Sequence, residues 1–72
     1  MLELPPSIQV NGMARPYREI TLAELLRELG MDPSRSGLAV AVGDEVVPRG
    51  EWVRRLIRPG DSVEVVGATQ GG

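Results

Sequence analysis

Ser7-Ile8-Gln9-Val10-Asn11-Gly12-Met13-Ala14-Arg15-Pro16-Tyr17-Arg18-Glu19-Ile20-Thr21-Leu22-Ala23-Glu24-Leu25-Leu26-Arg27-Glu28-Leu29-Gly30 changes its apolar period once, and that change decides the fold. In the first part Ile8 and Val10 alternate with polar residues, which is the period of a strand from Ser7 to Val10. Asn11-Gly12 follows, a pair that tolerates the positive φ of a type I′ hairpin turn. A return strand is predicted from Met13 to Ile20. Pro16 lacks an N–H, so that strand belongs at a sheet edge. From Thr21 the period becomes helical. Thr21 and Glu24 have the spacing of a capping box, in which the hydroxyl meets an orphan N–H and the carboxylate reaches back. Leu22, Leu25, Leu26 and Leu29 then fall on one apolar face. Gly30 closes the helix, and Pro33 prevents its continuation.

Working outward, Leu38 to Val42 is an unbroken apolar run of strand length, read as an interior strand covered on at least part of both faces. Gly43-Asp44 turns the chain, and Glu45 to Val47 returns as a short strand ended by Pro48. Arg49 to Ile57 reads as irregular or one helical turn, anchored by Trp52, Val53, Leu56 and Ile57. Pro59-Gly60 suits the centre of a type II turn. Ser62 to Val66 is the last strand, with Val63 and Val65 facing one way and Glu64 the other. One helix on a mixed sheet of four to five strands is an α+β, two-layer solution. A hairpin, a helical crossover and further strands, in that order, make the β-grasp arrangement. It makes one interior strand pair parallel and sets the last strand centrally beside the first. One domain is expected over residues 1–72, with 1–7 a short extension and 67–72 a flexible tail.

A 72-residue chain has few apolar residues beyond those its core needs, and no room for an enclosed pocket of enzyme size. Its formal net charge of −2 argues against nucleic acid as a partner. It has no Cys and no His, which excludes disulfides and leaves no ordinary zinc ligand set. No stretch reads as a signal peptide or a membrane span, and the cytoplasm is the expected compartment. All eight basic residues are Arg, so the chain cannot accept an isopeptide bond on a Lys. Arg54, Arg55 and Arg58 form a small basic cluster, read first as a solvated face and second as a contact for an acidic partner. Arg49 is expected to cap a local carbonyl or pair with Asp44 or Glu51. Trp52 is expected in the core, and Tyr17 is expected to pack. Asp44 and Glu45 are adjacent at a turn, and alternation of side chains points them apart, so they make no acid–base pair. No catalytic side chain and no metal ligand is assigned.

Gly71-Gly72 is the remaining chemical feature. At a Gly frequency of ~7% such a pair arises by chance about once in 200 chains, so its weight comes from what precedes it. The six residues after Val66 extend ~20 Å at ~3.3–3.6 Å each. Without side chains at its tip, such a segment fits a narrow channel in a partner enzyme. A carboxylate is a poor electrophile, but ATP converts it to an acyl-adenylate, from which sulfur can displace AMP. The product is a thiocarboxylate.

The chain resembles the ThiS family, the ubiquitin-like sulfur carriers of thiamine thiazole synthesis. The residues that carry the likeness are Ile8 to Gly12, Thr21 to Leu26, Val40 to Trp52, Pro59 to Val66 and Gly71-Gly72. Val47-Pro48-Arg49 with Trp52 is the most specific stretch and separates it from the related MoaD carriers. Two features depart from the pattern: the seven residues before Ile8, and Gly43 where members often have Asn. The resemblance implies that Gly72 is adenylated by a ThiF-type enzyme using ATP and Mg²⁺, which belong to that enzyme. A cysteine-persulfide donor system then supplies sulfur, and the Gly72 thiocarboxylate delivers it to thiazole synthase, ThiG. Val66, Gly67, Ala68, Thr69, Gln70 and Gly71 would line the partner's channel. The carrier is a co-substrate and no enzyme. The alternatives are a MoaD-like carrier for molybdopterin or tRNA thiolation, a ubiquitin-like protein modifier, and a β-grasp binding module with an inert tail.

Overall fold

The computed structural model describes residues 4–67. Its elements are β1 (Ser7–Val10), β2 (Met13–Pro16), α1 (Leu22–Glu28), β3 (Leu38–Val42), β4 (Glu45–Val47), a 3₁₀ turn over Arg49–Glu51, and β5 (Ser62–Gly67). They build one five-stranded sheet in the order β2-β1-β5-β3-β4. The β1–β5 pair is parallel, and the β1–β2, β3–β4 and β3–β5 pairs are antiparallel. The last strand is therefore central and joins the N-terminal hairpin to the β3–β4 hairpin.

Local chemistry sets these boundaries. Asn11 and Gly12 take φ of 51° and 83°, as a type I′ turn requires. At the start of α1 both halves of the capping box form: Glu24 N–H donates to the Thr21 hydroxyl at 3.2 Å, and Thr21 N–H donates to Glu24 Oε1 at 2.8 Å. At its end Gly30 has φ 83°. Its N–H reaches the Arg27 carbonyl at 3.0 Å, and Met31 N–H reaches the Leu26 carbonyl at 2.9 Å. That pair of bonds is a Schellman motif, which satisfies two orphan carbonyls.

The core is one cluster between α1 and a single face of the sheet. Leu22, Ala23, Leu25 and Leu26 from the helix join Ile8, Val10, Val40, Val42, Val47, Val63 and Val65 from the strands, with Trp52 and Ile57. Val63 on the central strand is fully buried. Each such side chain contributes roughly 1.5–3 kcal/mol.

Several expectations are corrected. The return strand stops at Pro16 instead of Ile20. Tyr17 N–H still reaches Pro6 O at 3.1 Å, but the next bond, Ile20 N–H to Arg18 O at 2.9 Å, bends the chain towards the helix. The strand reading from Ser7 to Val10 holds, with Ser7 opposite Pro16, so Ser7 is not part of the extension. Gly67 belongs to β5, opposite Leu38, and not to the tail. Only one face of β3 is covered: Val40 and Val42 are buried, while Ala39 is exposed and Ala41 half-buried. A single helix shields one side of the sheet. Val53 and Leu56 are not anchors; they are 67% and 49% exposed. Leu56 bridges to Thr21 in an extended segment, flanked by Leu22 N–H to Arg55 O and Ile57 N–H to Ile20 O, both at 2.9 Å. Alternation there sends Ile57 inward and Leu56 outward.

Candidate functional site

The root of the proposed reacting tail is the end of β5. Val66 and Gly67 are its two described residues; Ala68, Thr69, Gln70, Gly71 and Gly72 lie outside the described residues. Val66 pairs with Ala39 and is 62% exposed, on the sheet face that α1 leaves open. Gly67 pairs with Leu38. A Cβ built on Gly67 would meet Leu38 Cδ2 at 3.5 Å, an ordinary contact, so space alone does not demand glycine there.

The residue at this end whose role sequence reasoning misses is Asn11, which the sequence places in the hairpin turn. Its side chain reaches across to β5. Val65 N–H donates to Asn11 Oδ1 at 2.8 Å, and Asn11 Nδ2 donates to Val65 O at 3.2 Å. The Asn11 N–H also donates to Val63 O at 2.8 Å. The available signal was the carboxamide itself, which carries a donor and an acceptor like a peptide group. Its target follows only once β5 is placed beside β1.

The other singled-out residues have structural duties. Trp52 is buried, and its Nε1–H donates to Val47 O at 2.9 Å. Arg49 does cap carbonyls, but distant ones. Its guanidinium donates to Pro33 O and, at 2.6 Å, to Arg35 O, and it lies 4.6 Å from the centre of the Trp52 ring. Tyr17, Glu19, Leu56 and Ile57 line a shallow groove of about 410 Å³ with Arg54, Arg55 and Arg58. The turn that follows this basic cluster starts β5, so the cluster sits far along the strand from Gly67.

Two carboxyl groups are held below their usual range. Glu24 is held there by the Thr21 N–H first and the Thr21 hydroxyl second. Asp32 is held by the Ser34 hydroxyl and then the Ser34 N–H. These are local cap and turn bonds, so neither carboxyl marks an acid–base pair. Among the described residues no group of three His, Cys, Asp or Glu gathers to hold a metal ion, and no helix is long and apolar enough to cross a membrane.

A mixed five-stranded sheet with one helix, whose last strand is central, defines a ubiquitin-like β-grasp domain. Comparison with known proteins narrows that class. Residues 8–72 match the ThiS family. Over 65 residues the chain is 40% identical to the sulfur carrier protein ThiS of Thermus thermophilus, covering 90% of this chain and 98% of that protein. Over 52 residues it is 33% identical to the sulfur carrier protein ThiS of Escherichia coli, covering 72% of this chain and 76% of that one. The crystal structure of the thiamine biosynthesis protein ThiS from Geobacter metallireducens matches with a TM-score of 0.73 at 25% identity, over 92% of this chain and 99% of that chain. The chain belongs to the ThiS family.

Proposed function

We propose that this chain is a sulfur carrier of thiamine biosynthesis, and that Gly72 is the residue that bears the sulfur. The observation that carries the reading is a family match that runs through residue 72, on a fold whose central strand leads into that segment. A ThiF-type enzyme attacks ATP with the Gly72 carboxylate, giving an acyl-adenylate and pyrophosphate. A donor persulfide then displaces AMP, and a thiol cleaves the resulting S–S bond to leave the thiocarboxylate. This chain has no Cys, so both sulfur groups come from partners and no internal thiol competes for the activated end. At thiazole synthase, ThiG, the thiocarboxylate passes its sulfur to a sugar-phosphate-derived intermediate and takes an oxygen in exchange, from that intermediate or from water, so the carboxylate returns for another round. In this cycle the carrier is a co-substrate, ATP and Mg²⁺ belong to the activating enzyme, and the setting is the cytoplasm.

Residues 66–71 supply the reach. Gly71 keeps the penultimate position slim, so a bulky side chain there blocks the channel before the carboxylate arrives. Intact-mass measurement tests the reading. With activating enzyme, ATP and sulfur donor, the full chain gains an oxygen-to-sulfur mass change, and a chain lacking Gly72 gains none while keeping its fold. Sulfur charging of the truncated chain would sink the assignment, and stable conjugates to other proteins would favour a modifier.

A further inference from the structure

The parallel ladder between β1 and β5 is completed by a side chain. Gln9 N–H donates to Asp61 O at 2.9 Å, and Asn11 N–H donates to Val63 O at 2.8 Å. Continued regularly, that ladder would carry Val65 N–H to the backbone carbonyl of Asn11, and the N–H of Met13 to Val65 O. Neither is possible here. Asn11 has turned to φ 51° in the hairpin, and Met13 already pairs with Val10 in β2. The carboxamide fills both places: Oδ1 takes the Val65 N–H at 2.8 Å, and Nδ2 gives to Val65 O at 3.2 Å. Beyond Val10–Val63, β1 offers β5 no further strand residue.

We propose that the Asn11 carboxamide is a positioning group for the reacting end: it replaces the strand residue that β1 lacks and fixes the direction in which β5 delivers Gly67. The inference rests on the sulfur-carrier reading for its functional consequence, but not for its structural one. Turn geometry alone does not require this residue, because Gly or Asp also accepts positive φ at that position. Glycine offers neither bond. Aspartate offers the acceptor but sets a carboxylate, with no donor, against the Val65 carbonyl. Asparagine alone among these serves the turn and the strand together. A tail root held on both sides, by β3 and by Asn11, samples few directions. Loosened, only a fraction of carriers would point the tail correctly, and the apparent affinity for a partner falls by that fraction.

The test is Asn11→Gly, which keeps the turn and removes the clamp, with Asn11→Asp as the variant to use if Asn11→Gly does not fold. Thr21→Ala is the control, since it weakens a helix cap remote from Val65. In Asn11→Gly, Val65 amide exchange should quicken about tenfold and the NMR order parameter of Gly67 should fall. In adenylation by a ThiF-type enzyme with ATP, KM for the carrier should rise about threefold or more with kcat nearly unchanged. Asn11→Asp should move all three readouts the same way by less. Thr21→Ala should leave the Gly67 order and KM as they are, and quicken Val65 exchange only by as much as it lowers global stability. The proposal is overturned if Asn11→Gly leaves Val65 and Gly67 as ordered as before, or if Thr21→Ala raises KM equally. Should the unaltered chain not be adenylated at all, the sulfur-carrier reading fails, and the exchange and order measurements alone decide the clamp.

Discussion

Trp52 ties the segment after β4 back onto β4. It is 2% exposed, and its indole N–H is satisfied by the Val47 carbonyl at 2.9 Å. Arg49 sits on the ring while holding the carbonyls of Pro33 and Arg35 from the loop before β3. One aromatic ring thus joins three stretches of chain. Trp52→Ala is expected to cost about 3–5 kcal/mol through the void it leaves. Trp52→Phe should cost about 1–3 kcal/mol, because the Val47 carbonyl keeps its burial and loses its donor. Urea unfolding reads both, and a Trp52→Phe variant as stable as the parent would show that the indole hydrogen bond contributes nothing beyond ring volume. The burial of Trp52 was legible in the sequence, since a lone large ring in a small chain has to be used for packing. Its partners were not, because Pro33 and Arg35 become neighbours of Arg49 only after β3 and β4 pair. Asn11 gives the same lesson: its turn was readable locally, and its second duty depended on a strand more than fifty residues away.

At the scale of the element, α1 shows where local sequence is sufficient. It is only seven residues long, too short to be stable alone, yet caps and the Leu face specify both ends and the buried side. The same local reading failed after Pro16 and at Val53 and Leu56, where long-range bonds to Pro6 O, Thr21 and Ile20 decide the path. Thr21→Ala is expected to lower stability by about 1 kcal/mol, the ordinary worth of such a cap. A pH effect follows from Glu24. Its carboxyl is held below the usual range, by the Thr21 N–H and then the Thr21 hydroxyl. A folded value below the unfolded one means that the contribution is present above the unfolded value of ~4.3. It is lost as pH falls through the folded value. Asp32 acts in the same direction. The melting temperature should therefore drop on acidification below about pH 4. Glu24→Gln keeps an acceptor for the Thr21 N–H but does not titrate, so its decline should be shallower. Identical pH profiles for the two proteins would remove Glu24 as a cause.

On the sulfur-carrier reading the molecule divides into a folded body and a reacting end, with β5 between them. Among the described residues, every buried apolar side chain of the core lies between Ile8 and Val65. Of these, Val63 and Val65 come from the one strand that pairs with both β1 and β3. Without β5 the sheet falls into two hairpins, and an isolated hairpin is marginal at best. A chain ending at Gly67 keeps the whole core, the capping box, the Trp52 anchor and the Asn11 clamp. It is expected to melt cooperatively within about 3 °C of the full chain, since removals that leave the core intact shift stability by about 0.5 kcal/mol or less. A chain ending at Asp61 loses the parallel pair and should show no cooperative transition. The central place of the last strand beside the first was readable from the hairpin, crossover and final apolar run, because crossover handedness leaves few other ways to close such a sheet. The openness of the second face was not, since it depends on how much sheet a single helix covers. Melting by circular dichroism, with intact-mass charging assays on the same samples, decides the separation. The Gly67-ended chain should be as folded as the parent and wholly uncharged by sulfur. A large fall in its melting temperature would show that residues 68–72 belong to the folded body, and the division at β5 would be wrong.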